Sequence, residues 1–567
     1  MKRDKHEIAE ELCATFAARK AERAPFDQQW QQLAEYFCPR KAAVTGGSRT
    51  PDGSRESSLF DGSGYYALDV AVRGQTSDII PHDQPWFSFD PPNGPLARNF
   101  RVQQWAQECT RLCRMYLTGS RFYAQGYEFT ADRTAFGTAC FYSEEGSSHE
   151  NPVVFRAHPI GSYTIAENAD GVVDCIDREF RMTARQLVEK FGKGAVSEKV
   201  LKAWEAGKGR QDEAFSVLHC VAPRSEAERI YGKRDGANKP YASVYLERDT
   251  KTPQRISGFD ELPYSVSRCS TWEGYEKSAP YGYSPAWLAL PDMKQLNLLQ
   301  KQLDVLAEKK VTPPMLVPVG YKGDIDMRAG GVTWFDPTLQ DARPQEWGDK
   351  GDYVIGVQRA EQKRAAIEAF FQVNMWLSIT RMERRNVTAE EVRARVGEQA
   401  RQFGATYTLL VTEWLTSQLM RFFRILLRRG LLPPPPQEMI GRDGLGQAYI
   451  PEPDVIFSSR IALALKDADN MSVSTMLGFV GQVAQFQPDV MDNFDWDAAT
   501  RGIARNRGIP PEYNRDPDQV AEMRAARAQQ QQQAMQGQMA EQMARAAKDV
   551  GSIPADSPMA RLAEASI

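Results

Sequence analysis

The sequence predicts a predominantly helical α+β protein, and three observations carry that prediction. Between residues 281 and 430 apolar side chains recur at three- and four-residue steps in three long segments. Between 138 and 270 the repeat changes to two. Turn and breaker residues separate the segments, so each periodic run reads as its own element. Residues three and four apart share a face on a helix, whereas alternate residues share a face on a strand. A chain of 567 residues is also too long for one core; at roughly 100–200 residues per domain it corresponds to three or four units.

Taken in order, residues 5–24 read as a helix, and Pro25 starts a second helical piece with Phe26, Trp30, Leu33 and Phe37 on one face, stopped by Pro39. Residues 40–57, rich in Gly, Ser, Thr and Arg, read as a mobile loop. Phe60–Ile80 is a helix closed by Pro81, and Trp86–Phe89 a short alternating strand. Helices at 98–118 and 121–136 lead to Gly137. Strands are expected at 138–143, 153–158, 161–166 and 172–181, with turn chemistry at Asn168–Gly171. Thr183 and Gln186 form a capping box that starts a helix running to Gly192. Strand-like pieces at 214–222, 240–247 and 262–268 complete one α+β unit over 138–270.

The central stretch begins with Leu296, Leu299, Leu303 and Leu306 on one helical seam, which Pro313 and Pro314 end. After a Pro/Gly-rich insert, Ala360, Ile367, Phe370 and Leu377 mark a second seam. A basic break follows, Ser378–Val387, in which Arg381, Arg384 and Arg385 fall within five residues. Thr388 and Glu391 then form a capping box for a third helix, whose seam runs through Val392, Val396, Phe403, Leu410, Trp414, Phe422 and Leu426. Pro433–Pro436 is a stiff connector, 454–466 an alternating strand, and 470–486 and 496–507 helices. The Ala/Gln/Met-rich stretch 518–548 fits either a helix or a disordered tail.

A net charge of −4 and a pI near 6.0 argue against a broadly cationic nucleic-acid-binding surface, so any DNA partner is held loosely or locally. Charge runs through the first twelve residues, where a signal peptide needs an apolar core. The most apolar window, 409–432, contains Glu413, Arg421, Arg424, Arg428 and Arg429 and is too polar for a bilayer span. The eight cysteines carry no CxxC pair and read as reduced thiols in a cytoplasmic setting.

No phosphate loop, dinucleotide fingerprint, HExxH or GxSxG is present. Gly207–Arg210 is a surface turn, and Cys109 and Cys113, four apart on a helix, read as buried thiols, since two sulfurs do not complete a zinc site. The histidines stand too far apart in sequence for a local site. Trp272, Tyr275, Tyr281, Tyr283 and Trp287 have the composition of a base-stacking platform, although packing in a loop explains them better. The three arginines suit either a small phosphate-binding cluster or a solvated connector. Residues 419–429 alternate apolar and Arg positions, as a core-packed helix with a charged outer face does; a membrane-surface helix has the same pattern, but this one lies deep in the chain.

Four pieces in order resemble one family: Pro25–Pro39 (PFDQQWQQLAEYFCP), Leu59–Pro92, Ala279–Leu316 and Thr380–Arg395 (TRMERRNVTAEEVRAR) running on to Glu398 and Gly404. They are similar to the head-to-tail connecting, or portal, proteins of short-tailed phages, and with the element order between them the resemblance covers roughly residues 1–515. It implies the portal fold assembled as a ring, typically of twelve copies. Residues 1–280 would be the wing, 281–311 the first stem helix, 312–355 the clip, and 356–377 the second stem helix. Residues 378–387 would be a channel loop bearing Arg381, Arg384 and Arg385, 388–430 a long wing helix, and 431–515 the crown-proximal strand and helices. Residues 516–567 match no part of the pattern.

Within or beside the implied clip, Tyr321, Trp334, Phe335, Trp347 and Tyr353 are the docking candidates for motor or tail. The implied partners are other copies of the chain, double-stranded DNA held without sequence preference, the terminase large subunit, a capsid or scaffolding protein and tail adaptor proteins. The resemblance implies no enzyme activity, cofactor, metal or membrane, and a location at the capsid portal vertex after assembly in the host cytoplasm. Two other readings stand beside it: another ring component of the tail, such as an adaptor or nozzle, and an enzyme acting on nucleic acid or the cell envelope.

Overall fold

Among the described residues four buried apolar clusters form, and helix 122–136 contributes to the two largest. The computed structural model describes residues 5–41, 43–45, 59–92, 99–207, 209–225, 235–272, 279–319, 324–327, 332–334, 344–346, 352–377, 389–442, 448–463, 478–483, 495–506 and 517–551, with isolated positions between them. The N-terminal elements are α1 (Lys5–Phe37), α2 (Ser63–Ile79), β1 (Phe87–Asp90), α3 (Phe100–Thr118) and α4 (Phe122–Phe136). α1 is continuous through Pro25, contrary to the expected break. Proline removes one helical hydrogen bond, but here the helix is anchored on both sides of it. Arg23 donates to the Tyr163 carbonyl, and Trp30 Nε1 donates to the Phe136 carbonyl at 3.0 Å.

The strand-rich stretch holds two sheets. A three-stranded sheet has the order β3 (Val153–His158), β2 (Thr138–Glu145), β9 (Tyr264–Arg268). A five-stranded antiparallel meander runs β4 (Tyr163–Glu167), β5 (Val173–Thr183), β6 (Ala214–Pro223), β7 (Tyr241–Glu247), β8 (Thr252–Phe259). Thr183 and Gln186 make both capping-box bonds at the start of α5 (Ala184–Phe191), and Gly192 caps its end. A further helix, α6 (Glu198–Glu205), and strand β8 were not expected; β8 is interrupted by polar residues, which hides its alternation. Strands β10 (Ser270–Trp272) and β11 (Ala279–Tyr283) form a ribbon leading into the central stretch.

That stretch contains α7 (Pro285–Val311), the strand pair β12 (Met315–Leu316) and β13 (Gln345–Glu346), and α8 (Tyr353–Phe370), followed by a single turn, α9 (Val373–Trp376). α10 (Ala389–Leu410) continues through a π turn at Val411–Leu415 into α11 (Thr416–Arg428). β14 (Gly441–Arg442) and β15 (Ala448–Tyr449) form a small ribbon, and β16 (Asp454–Phe457) pairs antiparallel with β1, placing Phe87 opposite Phe457. The strand stops short of the expected 466 because Ser459 starts a helical turn, its carbonyl accepting from Leu463 N at 2.8 Å. α12 (Trp496–Asn506) and α13 (Pro517–Gly551) close the described chain, and α13 resolves the choice for 518–548 in favour of helix.

One core gathers Trp30, Phe37, Leu68, Phe136, Tyr281, Leu296, Ala360 and Ile367, joining α1, α2, α7 and α8. The second gathers Trp86, Phe122, Phe129, Phe141, Trp414, Phe422 and Leu426. Such aromatic side chains each remove a large apolar area from water, so they dominate the cohesion of both layers. α4 contributes to both cores, and even its Asp132 and Arg133 are buried.

Candidate functional site

α7 and α8 form an antiparallel pair: Gly356 lies against Leu303, and further along Lys363 Nζ meets Asp292 at 2.6 Å. A Cβ on Gly356 would stand 2.5 Å from Leu303 Cδ2, so glycine sets how closely the helices approach there. Leu296, Leu303, Ala360 and Ile367 are buried along the contact, as their spacing predicts. Phe370 departs from the seam: it is exposed and Phe371 is buried in its place, because α8 ends at Phe370 and the chain turns through a positive φ at Gln372. Asp352 caps α8 by accepting from Val354 N and Ile355 N. Arg364 ties the pair to the N-terminal region through Asp61 at 2.8 Å and to Gln300 at 3.0 Å.

Residues 312–352 connect these helices in sequence, and among the described ones β12 pairs with β13, with Met315 opposite Glu346. A groove of about 490 Å³ lies beside it, lined by Val305, Thr312, Met315, Ile325 and Met327. Of the docking candidates, Trp334 is 84% exposed and Tyr353 39% exposed, the latter with Lys310 Nζ 5.5 Å from its ring centre. Tyr321, Phe335 and Trp347 lie outside the described residues, as do Arg381, Arg384, Arg385 and the Thr388 cap. The exposed sides of the helix pair carry Leu288, Leu298, Val305, Val354 and Ile355.

The long helix is keyed into the sheets by charged groups. Glu413, in the π turn, accepts from Arg268 N at 2.7 Å, Nε at 3.0 Å and Nη2 at 2.7 Å, and the same guanidinium reaches Glu167. Arg133, fully buried, donates to Ser267 Oγ, the Arg268 carbonyl and the Thr406 carbonyl at 3.1, 2.8 and 2.9 Å. Burial pulls its guanidinium below the usual arginine range. Sequence reasoning did not single out Arg133, Arg268 or Glu413 as a network. The available signal was a charged residue inside an apolar helical window, which burial makes costly unless it is paired.

The arginines of α11 are occupied within the chain. Arg421 bonds Glu261 at 2.9 Å and the Ser143 carbonyl at 3.2 Å, and Arg424 Nε meets Glu452 at 2.6 Å. Arg428 bonds Glu261 at 2.7 Å and Glu145 at 3.3 Å, and Arg429 donates to the Gly146 and Pro152 carbonyls. Leu419, Phe422, Phe423, Ile425 and Leu426 are buried opposite, so the pattern is core packing and not a membrane face. No helix among the described residues is long and apolar enough to cross a membrane. The aromatic group packs as a loop does: Trp272 and Trp287 lie 5.7 Å apart, and Tyr281 rests 5.1 Å from Phe26; Tyr275 is outside the described residues.

Among the described residues the central stretch is thus an antiparallel helix pair, and a long helix that charged side chains tie to Arg268 and Glu261. The chain belongs to the bacteriophage head to tail connecting proteins, whose family matches residues 9–514. It is 30% identical over 561 residues to the portal protein of Salmonella phage epsilon15, covering 97% of each chain. It is 29% identical over 551 residues to the probable portal protein of Bordetella phage BPP-1, covering 96% of this chain and 95% of that one.

Proposed function

We propose that the chain forms a phage portal: a non-enzymatic, homo-oligomeric ring at one capsid vertex, through which a terminase motor packages double-stranded DNA, through which the DNA later leaves, and to which the tail attaches. The observation that carries this reading is kinship over nearly the whole length of two portal proteins, one named as probable. In it, 1–280 form the wing with α10 and α11 crossing it, α7 and α8 are the stem, 312–355 the clip, and 431–515 lie toward the crown. Arg381, Arg384 and Arg385 line a loop facing the channel. The clip, with Tyr321, Trp334, Phe335, Trp347 and Tyr353, meets motor and tail adaptors. A capsid or scaffolding protein surrounds the wing, and assembly takes place in the host cytoplasm.

Three physical considerations support the reading. The apolar residues exposed on α7 and α8 suit burial against neighbouring copies. A ring of about twelve helices at about 10 Å spacing places opposite axes about 38 Å apart and leaves about 28 Å of bore, enough for a duplex about 20 Å wide. A net charge of −4 suits a conduit that must let DNA slide, because each neutralised phosphate adds affinity.

Electron microscopy of the purified protein viewed down its symmetry axis tests the proposal. Closed rings with a central opening are expected. A chain that remains monomeric under every assembly condition would overturn it.

A further inference from the structure

Strand register brings together a set of cations between the two sheets. In the five-stranded sheet Tyr163, Arg178, His219, Tyr245 and Arg255 are directly opposed from strand to strand and form one row. In the three-stranded sheet Arg156, Tyr142 and Tyr264 form a second. Directly opposed residues on neighbouring antiparallel strands project to the same face. The rows meet where the Tyr264 hydroxyl and His219 Nδ1 lie 2.7 Å apart, and His219 stacks on Tyr245 at 3.8 Å. A cavity of about 1530 Å³ opens there, with Arg156, Arg178, Lys190, Tyr142, Tyr245 and His219 on its wall.

Other cations on that wall have partners: Lys20 and Arg248 pair with Glu179, Arg23 with Asp27, and Arg181 donates to the Ala214 carbonyl. Arg156, Arg178 and Lys190 make no ion pair among the described residues, and neither does Arg255 at the end of its row. Glu144 and Glu189 stand on the same wall without pairing with them. Arg178 Nε is buried without a hydrogen-bond partner while the guanidinium rests 4.4 Å from the Phe180 ring, and Lys190 lies 4.7 Å from the Tyr245 ring. Burial is the first cause that holds the Arg178 guanidinium below its usual range, and Arg156 adds to it. A buried guanidinium nitrogen left without an acceptor costs free energy, and a ligand with several acceptor oxygens removes that cost.

We propose that this end of the cavity binds a small multivalent phosphate, held by Arg156, Arg178 and Lys190. Two guanidinium forks and one ammonium match tetrahedral phosphate oxygens in charge and geometry. The site is separate from the helix pair, and the proposal does not depend on ring formation.

Pyrophosphate titrated into the full chain at constant ionic strength, followed by calorimetry and by thermal unfolding, tests it. Saturable binding with a raised unfolding temperature is expected, and Arg178→Gln and Lys190→Gln should each weaken it by about tenfold. Lys190 is exposed on α5, so its variant tests the site even if Arg178→Gln fails to fold. The proposal is overturned if no saturable heat appears, if chloride at the same ionic strength reproduces the shift, or if Lys190→Gln binds as the parent does. It is equally overturned if pyrophosphate does not bind and the substitutions instead change the subunit count, because the cations would then face another copy of the chain.

Discussion

His158 and His219 are both buried among tyrosines, 5.8 Å from the Tyr264 ring in each case. Burial is the first cause that holds each well below the ordinary histidine range, with nearby arginines adding to it. The sign follows from which state binds the proton: the unfolded chain takes it up near pH 6.5 and the folded chain does not. Their contribution is therefore complete above about pH 6.5 and is lost as the pH falls toward the folded values, at up to about 1.4 kcal/mol per pH unit for each histidine. Denaturant unfolding of the parent and of His219→Gln, between about pH 7.5 and 5.5, should give a shallower pH slope for the variant. Equal slopes would show that His219 does not titrate on unfolding. Nothing local in the sequence announced this pair. His158 on β3 and His219 on β6 are 61 residues apart in number, and the pairing of β3 with β2, of β2 with β9 and of β5 with β6 carries them to the two sheets that meet at Tyr264.

At the scale of elements, the π turn governs how the long helix sits. Phe403, Tyr407 and Leu410 before it and Leu419, Phe422 and Leu426 after it are all buried, and Trp414 within it lies 4.2 Å from Phe129. A π turn takes up one extra residue while keeping the flanking seams on one face, so inserting a further alanine after Thr412 would rotate one half of the helix about 100° against the other. Such an insertion is expected to free Trp414 from its clamp at a cost of about 3–5 kcal/mol, read from denaturant unfolding and the emission maximum of tryptophan. A variant with the parent's stability and spectrum would show that the phase is unimportant. The seam residues from Phe403 onward were legible from spacing alone, since burial of one face is what periodicity encodes. The π turn was not, because Val411–Leu415 differs from its neighbours in hydrogen bonding and not in composition. Pro25 was misleading for a related reason: local propensity marked a break, and contacts from Arg23 and Trp30 to distant carbonyls overrode it.

For the whole molecule, the sequence carried the order of the parts more fully than their outward surfaces. The leucine seam on α7 states which side packs inside the chain, whereas Leu298 and Val354 are apolar yet exposed, which the seam does not account for. The charge balance belongs to the same scale, and it bears on the basic break. Combined Arg381→Ala, Arg384→Ala and Arg385→Ala is expected to leave the assembled ring intact while changing packaging or retention of DNA several-fold, as loss of a few phosphate contacts should. The checks are microscopy for assembly and nuclease-protected DNA for filling. Particles that fill and hold DNA as the parent does would remove these residues from any role in the channel.

The arginine and glutamate contacts along the long helix have a mechanical consequence. From Thr406 to Arg429 the attachments to Arg133 of α4, to β2 and the loop after it, to β9, and to Glu261 and Glu452 are spread along about 35 Å of helix. A tug parallel to the axis strains all of them together, in shear, so the load on each is a fraction of the total. A tug across the axis peels them in succession from one end, and each then bears nearly the full force. The molecule is therefore anisotropic as a material, stiff along this helix and weaker across it.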